Sequence, residues 1–275
     1  MPKIKILLEN SAVNKQFKTR HGLSVWIEHN GRNILLDAGP DNKFLINAKK
    51  MNIDVSGAAM LFLSHNHSDH SGGINDFFRV NKTASVYLMD SVDNRYYVKK
   101  RFLSVPVGLK LKSKYRSGIT QLKDDLNIDN RIFFLKNTID DYAKPTYNKA
   151  LFKKENRKLV KDTFEHEGIL VLEDNNELLI FNSCSHNGIL NIIETVKRKI
   201  PGKKIRAYAG GLHLCSPGTK KHETPEYLDY LAEKLKALQI NIYTGHCTGK
   251  FVLGYLKEKL GNMFHEINTG MELEI

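Results

Sequence analysis

The run His65-x-His67-x-Asp69-His70 constrains this chain more than any other feature. Imidazole nitrogens and a carboxylate are the donors that zinc and similar divalent cations favour. Four of them fall within six residues, directly after the apolar run Ala58 to Leu63. With 11 histidines in 275 residues, chance yields such a run in roughly one chain per thousand. Two histidines two apart at the end of a strand point to one side and can share a cation. Asp69 and His70, on the turn beyond, can address a second cation beside the first. Two metals about 3.5–4 Å apart clamp both the attacking and the leaving oxygen of a hydrolysis.

The surrounding pattern is α/β. Lys3 to Leu8 alternates, and Leu23 to Glu28 and Asn33 to Leu36 flank Asn30-Gly31, a hairpin signal. A helix is expected over Asp41 to Met51. After Gly168, strands are expected at Ile169 to Leu172 and Glu177 to Asn182, joined by a turn at Asn175-Asn176. Further strands are expected at Lys204 to Ala209 and Asn241 to Thr244, with helices near Ile189 to Arg198 and Phe251 to Leu260. Another helix opens with Thr224 as N-cap and Pro225 at its first position, with Leu228, Leu231, Leu235 and Leu238 on one face. Strands therefore end repeatedly in loops bearing His and Gly, where chemistry can converge.

Residues 91 to 165 break this order. They are basic, with Lys99-Lys100-Arg101, Lys110 to Arg116 and Lys153-Lys154, interleaved with Tyr96, Tyr97, Phe102, Tyr115 and Tyr142. The sequence reads as one domain over residues 1–275, with this stretch as an insertion or cap. The chain carries 42 Lys+Arg against 30 Asp+Glu, a net charge of +12, which suits anionic partners. A solvated lysine-rich face is the plainer reading, and no nucleic-acid-binding module signature accompanies the charge. The longest apolar run is far short of the ~20 residues a membrane helix needs. Glu9 interrupts the N-terminal stretch too early for a secretory signal, so a cytoplasmic protein is expected. Cys184, Cys215 and Cys247 are sparse and contain no CxxC pair, which argues against a disulfide framework and a cysteine-based structural zinc site.

Four donors on one loop cannot complete two coordination spheres, so distant histidines are required. His186, His213 and His246 each follow an expected strand, among flanking glycines. Gly245 to Lys250 lacks the spacing and the Ser/Thr of a phosphate loop, and no G-x-S-x-G elbow supports a serine nucleophile.

Leu35-Leu36-Asp37-Ala38-Gly39, the His65 to His70 run, Ser183-Cys184-Ser185-His186 and His246 together resemble the metallo-β-lactamase fold superfamily. The segments His21-Gly22-Leu23-Ser24, Phe164-Glu165-His166-Glu167, Gly210-Gly211-Leu212-His213-Leu214 and Gly245-His246-Cys247-Thr248-Gly249 resemble one branch of it. Members of that branch are labelled 7,8-dihydropterin-6-methyl-4-(β-D-ribofuranosyl)-aminobenzene-5′-phosphate synthases or metal-dependent hydrolases. The resemblance implies a four-layer αββα sandwich with the metals at one edge. It implies one metal on His65, His67 and His186 and another on Asp69, His70 and His246. Many binuclear relatives place a bridging aspartate after the strand that here ends at Ala209. This chain has Gly210-Gly211-Leu212-His213 there, so either His213 acts near that position or one metal is bound weakly. Asp37 matches a motif carboxylate expected to orient a ligand, and His21 and His166 match motifs expected to contact substrate.

The expected activity is hydrolysis of a small anionic, phosphorylated or aromatic ester or phosphodiester. One or two divalent ions, Zn2+ first with Mn2+ or Fe2+ as alternatives, would activate water as the nucleophile. Asp69 would accept a proton and His213 would help stabilise the transition state. The alternatives are the synthase reaction, a nuclease of the same fold, and a metal-dependent sensor without turnover.

Overall fold

Two seven-stranded sheets grow from these alternations and apolar runs in the computed structural model, which describes residues 1–89, 95–100, 103–216, 218–219 and 221–275. The chain divides into two compact units where the sequence suggests a single domain with an insertion. Residues 1–124, 149–168 and 268–275 form the first, and residues 125–148 and 169–267 the second.

In the first unit the strand order is Glu272–Glu274, Lys3–Leu8, Ser24–His29, Arg32–Leu36, Met60–Leu63, Ser85–Met89, Ile119–Leu122. Pairing is antiparallel as far as Arg32–Leu36 and parallel beyond it. The hairpin turn forms as expected, with Asn30 at φ 49° and Gly31 at φ 72°, the positive values a tight two-residue connection requires. Met60–Leu63 is buried at every position, as a parallel strand with apolar neighbours on both faces must be. Leu61, Leu63, Phe77, Val86 and Leu88 pack with Phe44 and Ala48 of the Lys43–Lys50 helix. This core fixes the strand end from which the histidine run departs.

The second unit has the order Phe264–Glu266, Asn241–Thr244, Lys204–Ala209, Glu177–Phe181, Gly168–Asp174, Ile132–Lys136, Leu126–Ile128. Strands from Glu177–Phe181 to Phe264–Glu266 run parallel, so each needs a crossover helix. Ile189–Lys199, Pro225–Leu238 and Lys250–Leu260 supply these. Leu228, Leu231, Leu235, Val252 and Leu256 are buried together in one core, as the helical spacing indicates.

The stretch from 91 to 165 is distributed rather than gathered into one cap. Lys158–Lys161, Leu151–Glu155, Tyr96–Lys100 and Leu103–Pro106 make a four-stranded antiparallel sheet in the first unit. Ile119–Leu122 closes the edge of the first large sheet, and Leu126–Ile128 with Ile132–Lys136 extends the second. Some of the basic charge is engaged: Lys99 and Lys161 place their Nζ atoms 4.4 and 4.2 Å from the centre of the Phe152 ring. Arg101 and Phe102 lie outside the described residues. Among the described residues no helix is long and apolar enough to cross a membrane.

Thr224 Oγ1 accepts a hydrogen bond from the Tyr227 N–H at 3.3 Å, with Pro225 at the first helical position. Thr224→Ala is expected to lower unfolding stability by about 1 kcal/mol in urea denaturation, and Thr224→Ser to retain it. An alanine variant as stable as the parent would show that packing alone defines this helix start.

Candidate metal centre

The Met60–Leu63 strand ends at Ser64, and the chain then turns through His65 to His67 into the short helix Ser68–Ser71. His65, His67 and His70 are all buried. Ring centroids lie 4.7 Å apart for His65 and His67 and 4.4 Å apart for His65 and His70. The first unit thus brings together the histidines that the spacing suggested.

Asp37 sets the tautomers of His65 and His70. It sits at φ 58° just after the Arg32–Leu36 strand, with its side chain fully buried. Its Oδ1 accepts the Ser64 backbone N–H at 2.7 Å. Its Oδ2 accepts the Ser64 hydroxyl at 2.7 Å and lies 2.8 Å from His70 Nδ1. A carboxylate has no proton to give, so His70 carries its proton on Nδ1. Ser64 Oγ spends its own proton on Asp37 and accepts from His65 Nδ1 at 2.8 Å. Both imidazoles are therefore protonated at Nδ1, which makes Nε2 the ligating nitrogen of each. Burial, then the nearby imidazoles of His70, His67 and His166, hold His65 well below the ordinary histidine range. A neutral ring is the form that binds a cation.

Asp69 is the more accessible donor. Its Oδ2 lies 3.6 Å from His70 Nε2 and 3.4 Å from Nε2 of the exposed His21. A Cβ on Gly22 would stand 2.2 Å from the Asp69 carbonyl oxygen, so only glycine lets the His21 segment pass so close. His166, expected to meet substrate, is buried and engaged at both ring nitrogens. Its Nδ1 accepts the Asn66 N–H at 3.1 Å, and its Nε2 donates to Asp162 Oδ2 at 3.1 Å. The same Asp162 oxygen lies 3.8 Å from His67 Nε2. Burial pushes the Asp162 carboxyl up, but its hydrogen bond to His166 and the nearby imidazole of His67 outweigh this and hold it well below the usual carboxylate range. Sequence reasoning missed Asp162; the only trace was its position four residues before His166.

The second unit carries the remaining histidines. His186 follows the Glu177–Phe181 strand, and Asn148 grips it twice. The Asn148 side-chain amide donates to the His186 carbonyl at 2.7 Å, and its Oδ1 lies 3.0 Å from His186 Nδ1. An amide oxygen accepts, so His186 too has its proton on Nδ1. The His213 ring lies 4.2 Å from that of His186. His246 is buried at φ 51° in the turn after Asn241–Thr244. Asn148 was likewise missed, being one polar residue in a stretch without motif. In the first unit alone, His65, His67, His70 and Asp69 offer borderline nitrogen and oxygen donors, with the tautomers of His65 and His70 already set. This donor set fits a divalent cation such as zinc.

A family model described as the metallo-beta-lactamase superfamily matches residues 18–136. A 7,8-dihydropterin-6-methyl-4-(beta-D-ribofuranosyl)-aminobenzene-5′-phosphate synthase of Methanocaldococcus jannaschii is 30% identical over 291 aligned positions, spanning 98% of this chain and 95% of that protein. An uncharacterized protein of the same organism is 26% identical, with 90% of each chain covered. Among solved structures, Tm1679, described as a metal-dependent hydrolase of the beta-lactamase superfamily, aligns over 100% of this chain and 99% of its own. Its TM-score is 0.83 and its identity 24%. The chain belongs to the metallo-β-lactamase superfamily and has its α+β fold. That fold implies binding of divalent metal, with which the histidine clusters are compatible.

His65 stays neutral in the folded chain, whereas in the unfolded chain it takes up a proton near its ordinary value of 6.5. The unfolded state then binds more protons, so metal-free protein is expected to keep this contribution above pH 6.5 and lose it as pH falls below. Urea denaturation at a series of pH values checks this, with His65→Gln expected to flatten the slope. An unchanged slope in that variant would contradict it.

Proposed function

We propose that this protein is a metal-dependent hydrolase that acts on a small anionic ester or phosphodiester. The observation that carries the reading is the buried imidazole group of His65, His67 and His70, with Asp37 and Ser64 fixing His65 and His70 so that each ligates through Nε2. The family pattern would assign His65, His67 and His186 to one cation, and Asp69, His70 and His246 to a second. Zinc suits these donors best. Bound there, it supplies Lewis-acid polarisation of the substrate oxygen and lowers the pKa of water to near neutrality.

The chain's own groups do the rest. Asp69 has a quarter of its side chain exposed, so it is the carboxylate placed to take a proton from attacking water. His21, 3.4 Å from it and open to solvent, orients that carboxylate and meets the substrate. Asp37 holds His70 and the start of the metal loop in register. His166 and Asp162 brace the loop from behind through Asn66. The net charge of +12 favours a substrate with a negative group. The three cysteines form no disulfide among the described residues, which suits a reducing, cytoplasmic compartment.

A second reading is favoured by one finding, the full-length similarity to the Methanocaldococcus jannaschii synthase. The same cation site would then activate a dihydropterin or its phosphorylated ribosyl-aminobenzene partner for condensation.

An ester and phosphodiester panel with zinc-loaded protein separates the two. Hydrolysis is expected, falling by roughly 10²–10⁴-fold in Asp69→Ala and at least as far in His67→Ala, with far-ultraviolet circular dichroism unchanged. Condensation of the two precursors without ester turnover would establish the synthase instead. Turnover untouched by either substitution and by chelation would overturn both.

A further inference from the structure

The second unit contains donors that the proposed reaction does not use. Cys184 and Cys247 are each 3% exposed, and their Sγ atoms lie 3.5 Å apart. One ring nitrogen of His213 completes a set in which each ligand atom is within 4.8 Å of the others. His213 is itself more than nine-tenths buried, and its Nδ1 has no hydrogen-bond partner among the described residues. A buried imidazole nitrogen without a partner is costly unless something fills the position.

The sequence builds this set deliberately. Cys184 follows the Glu177–Phe181 strand, His213 the Lys204–Ala209 strand and Cys247 the Asn241–Thr244 strand. These three strands are parallel neighbours, so their C-terminal loops emerge side by side. The His213 backbone N–H donates to Cys247 Sγ at 3.2 Å, and the Leu212 N–H donates to Thr248 Oγ1 at 3.0 Å, which ties two of the loops together. Gly211 leaves room for the thiol: a Cβ there would stand 2.6 Å from Cys247 Sγ and 2.7 Å from the Ser183 carbonyl. His213 adopts φ 51°, a left-handed conformation that an ordinary residue holds only when its surroundings impose it.

The sulfur spacing separates two uses of such a pair. A disulfide needs about 2.05 Å between sulfurs. A tetrahedral cation with bonds of about 2.3 Å to sulfur sets two thiolates roughly 3.8 Å apart. The 3.5 Å observed is close to the second. We propose that Cys184, His213 and Cys247 form a further cation site, for a thiophilic ion of the zinc class, distinct from the donors assigned to the hydrolytic centre. His213 is then a ligand in place of the transition-state role suggested by sequence. Three protein ligands leave the fourth position of the ion open to water or an exchangeable anion.

Titration of the metal-free full-length protein with Co2+ tests this, because thiolate-to-cobalt charge transfer absorbs in the near ultraviolet and imidazole or carboxylate ligation does not. The wild type is expected to develop the band. Cys184→Ser and Cys247→Ser are expected to lose most of it, whereas Cys215→Ser and His67→Ala retain it. The His67→Ala result keeps this site independent of the hydrolytic reading. Should the serine variants fail to fold, X-ray absorption of the zinc-loaded wild type is expected to show a sulfur shell near about 2.3 Å. A wild type without the thiolate band at saturating cobalt, a band that survives in Cys184→Ser/Cys247→Ser, or a zinc shell of nitrogen and oxygen alone would overturn the proposal.

Discussion

The carboxylate of Asp37 is the interaction on which the metal loop depends. A fully buried charge is costly unless every lone pair is met, and here Ser64 N–H, Ser64 Oγ–H and His70 Nδ1–H all point at it. One residue thereby anchors the strand end, the start of the histidine run and its final imidazole. The backbone repeats the connection: Asp37 N–H donates to the Phe62 carbonyl at 2.9 Å, and Ala38 N–H to the His70 carbonyl at 2.8 Å. Gly73 N–H donates to the Gly39 carbonyl at 2.9 Å. A Cβ on Gly73 would lie 2.2 Å from the Ala38 carbonyl oxygen, so the close approach of these segments demands glycine. The tautomers of His65 and His70 follow from this arrangement rather than from any metal.

Both units use one structural device. A hydrophobic core sets parallel strands in register, and polar donors occupy the loops at their C-terminal ends. In the first unit the loop after Met60–Leu63 carries imidazoles and a carboxylate. In the second, three neighbouring loops carry His186, His213 and His246 together with two thiols. Asn148 and Asp162 hold their partner histidines by hydrogen bonds from outside these loops. The Cys247 thiol records this environment: burial pushes it up, yet the hydrogen bond with Cys184 and the imidazoles of His246 and His213 bring it well below the ordinary cysteine range.

Much of the scaffold was legible in the sequence because its signals are local. Asn30-Gly31 and Asn175-Asn176 could only be turns, and both show positive φ at each residue. Thr224-Pro225 marks a helix start to the residue, and Lys204–Ala209 and Asn241–Thr244 fall where alternation and flanking glycines put them. The first-unit ligands were visible because four donors share six residues. What escaped reading depends on distant pairing. Glu272–Glu274 is a strand because it pairs with Lys3–Leu8 from the far end of the chain, and nothing in three residues announces that. Residues 91 to 165 look like one body in composition, yet their strands join three different sheets through partners remote in sequence. Asp162 and Asn148 are ordinary polar residues until folding sets them against His166 and His186.

Equilibrium zinc affinity of Asp37→Asn, measured by competition with a chelating dye, tests the central claim most directly. The amide is the same size but offers one acceptor oxygen and an N–H that faces the donors of Ser64 and His70. The expected result is a folded protein whose zinc binding is weaker by roughly 10–100-fold. A folded variant that binds zinc as tightly as the parent would contradict the role given to this carboxylate.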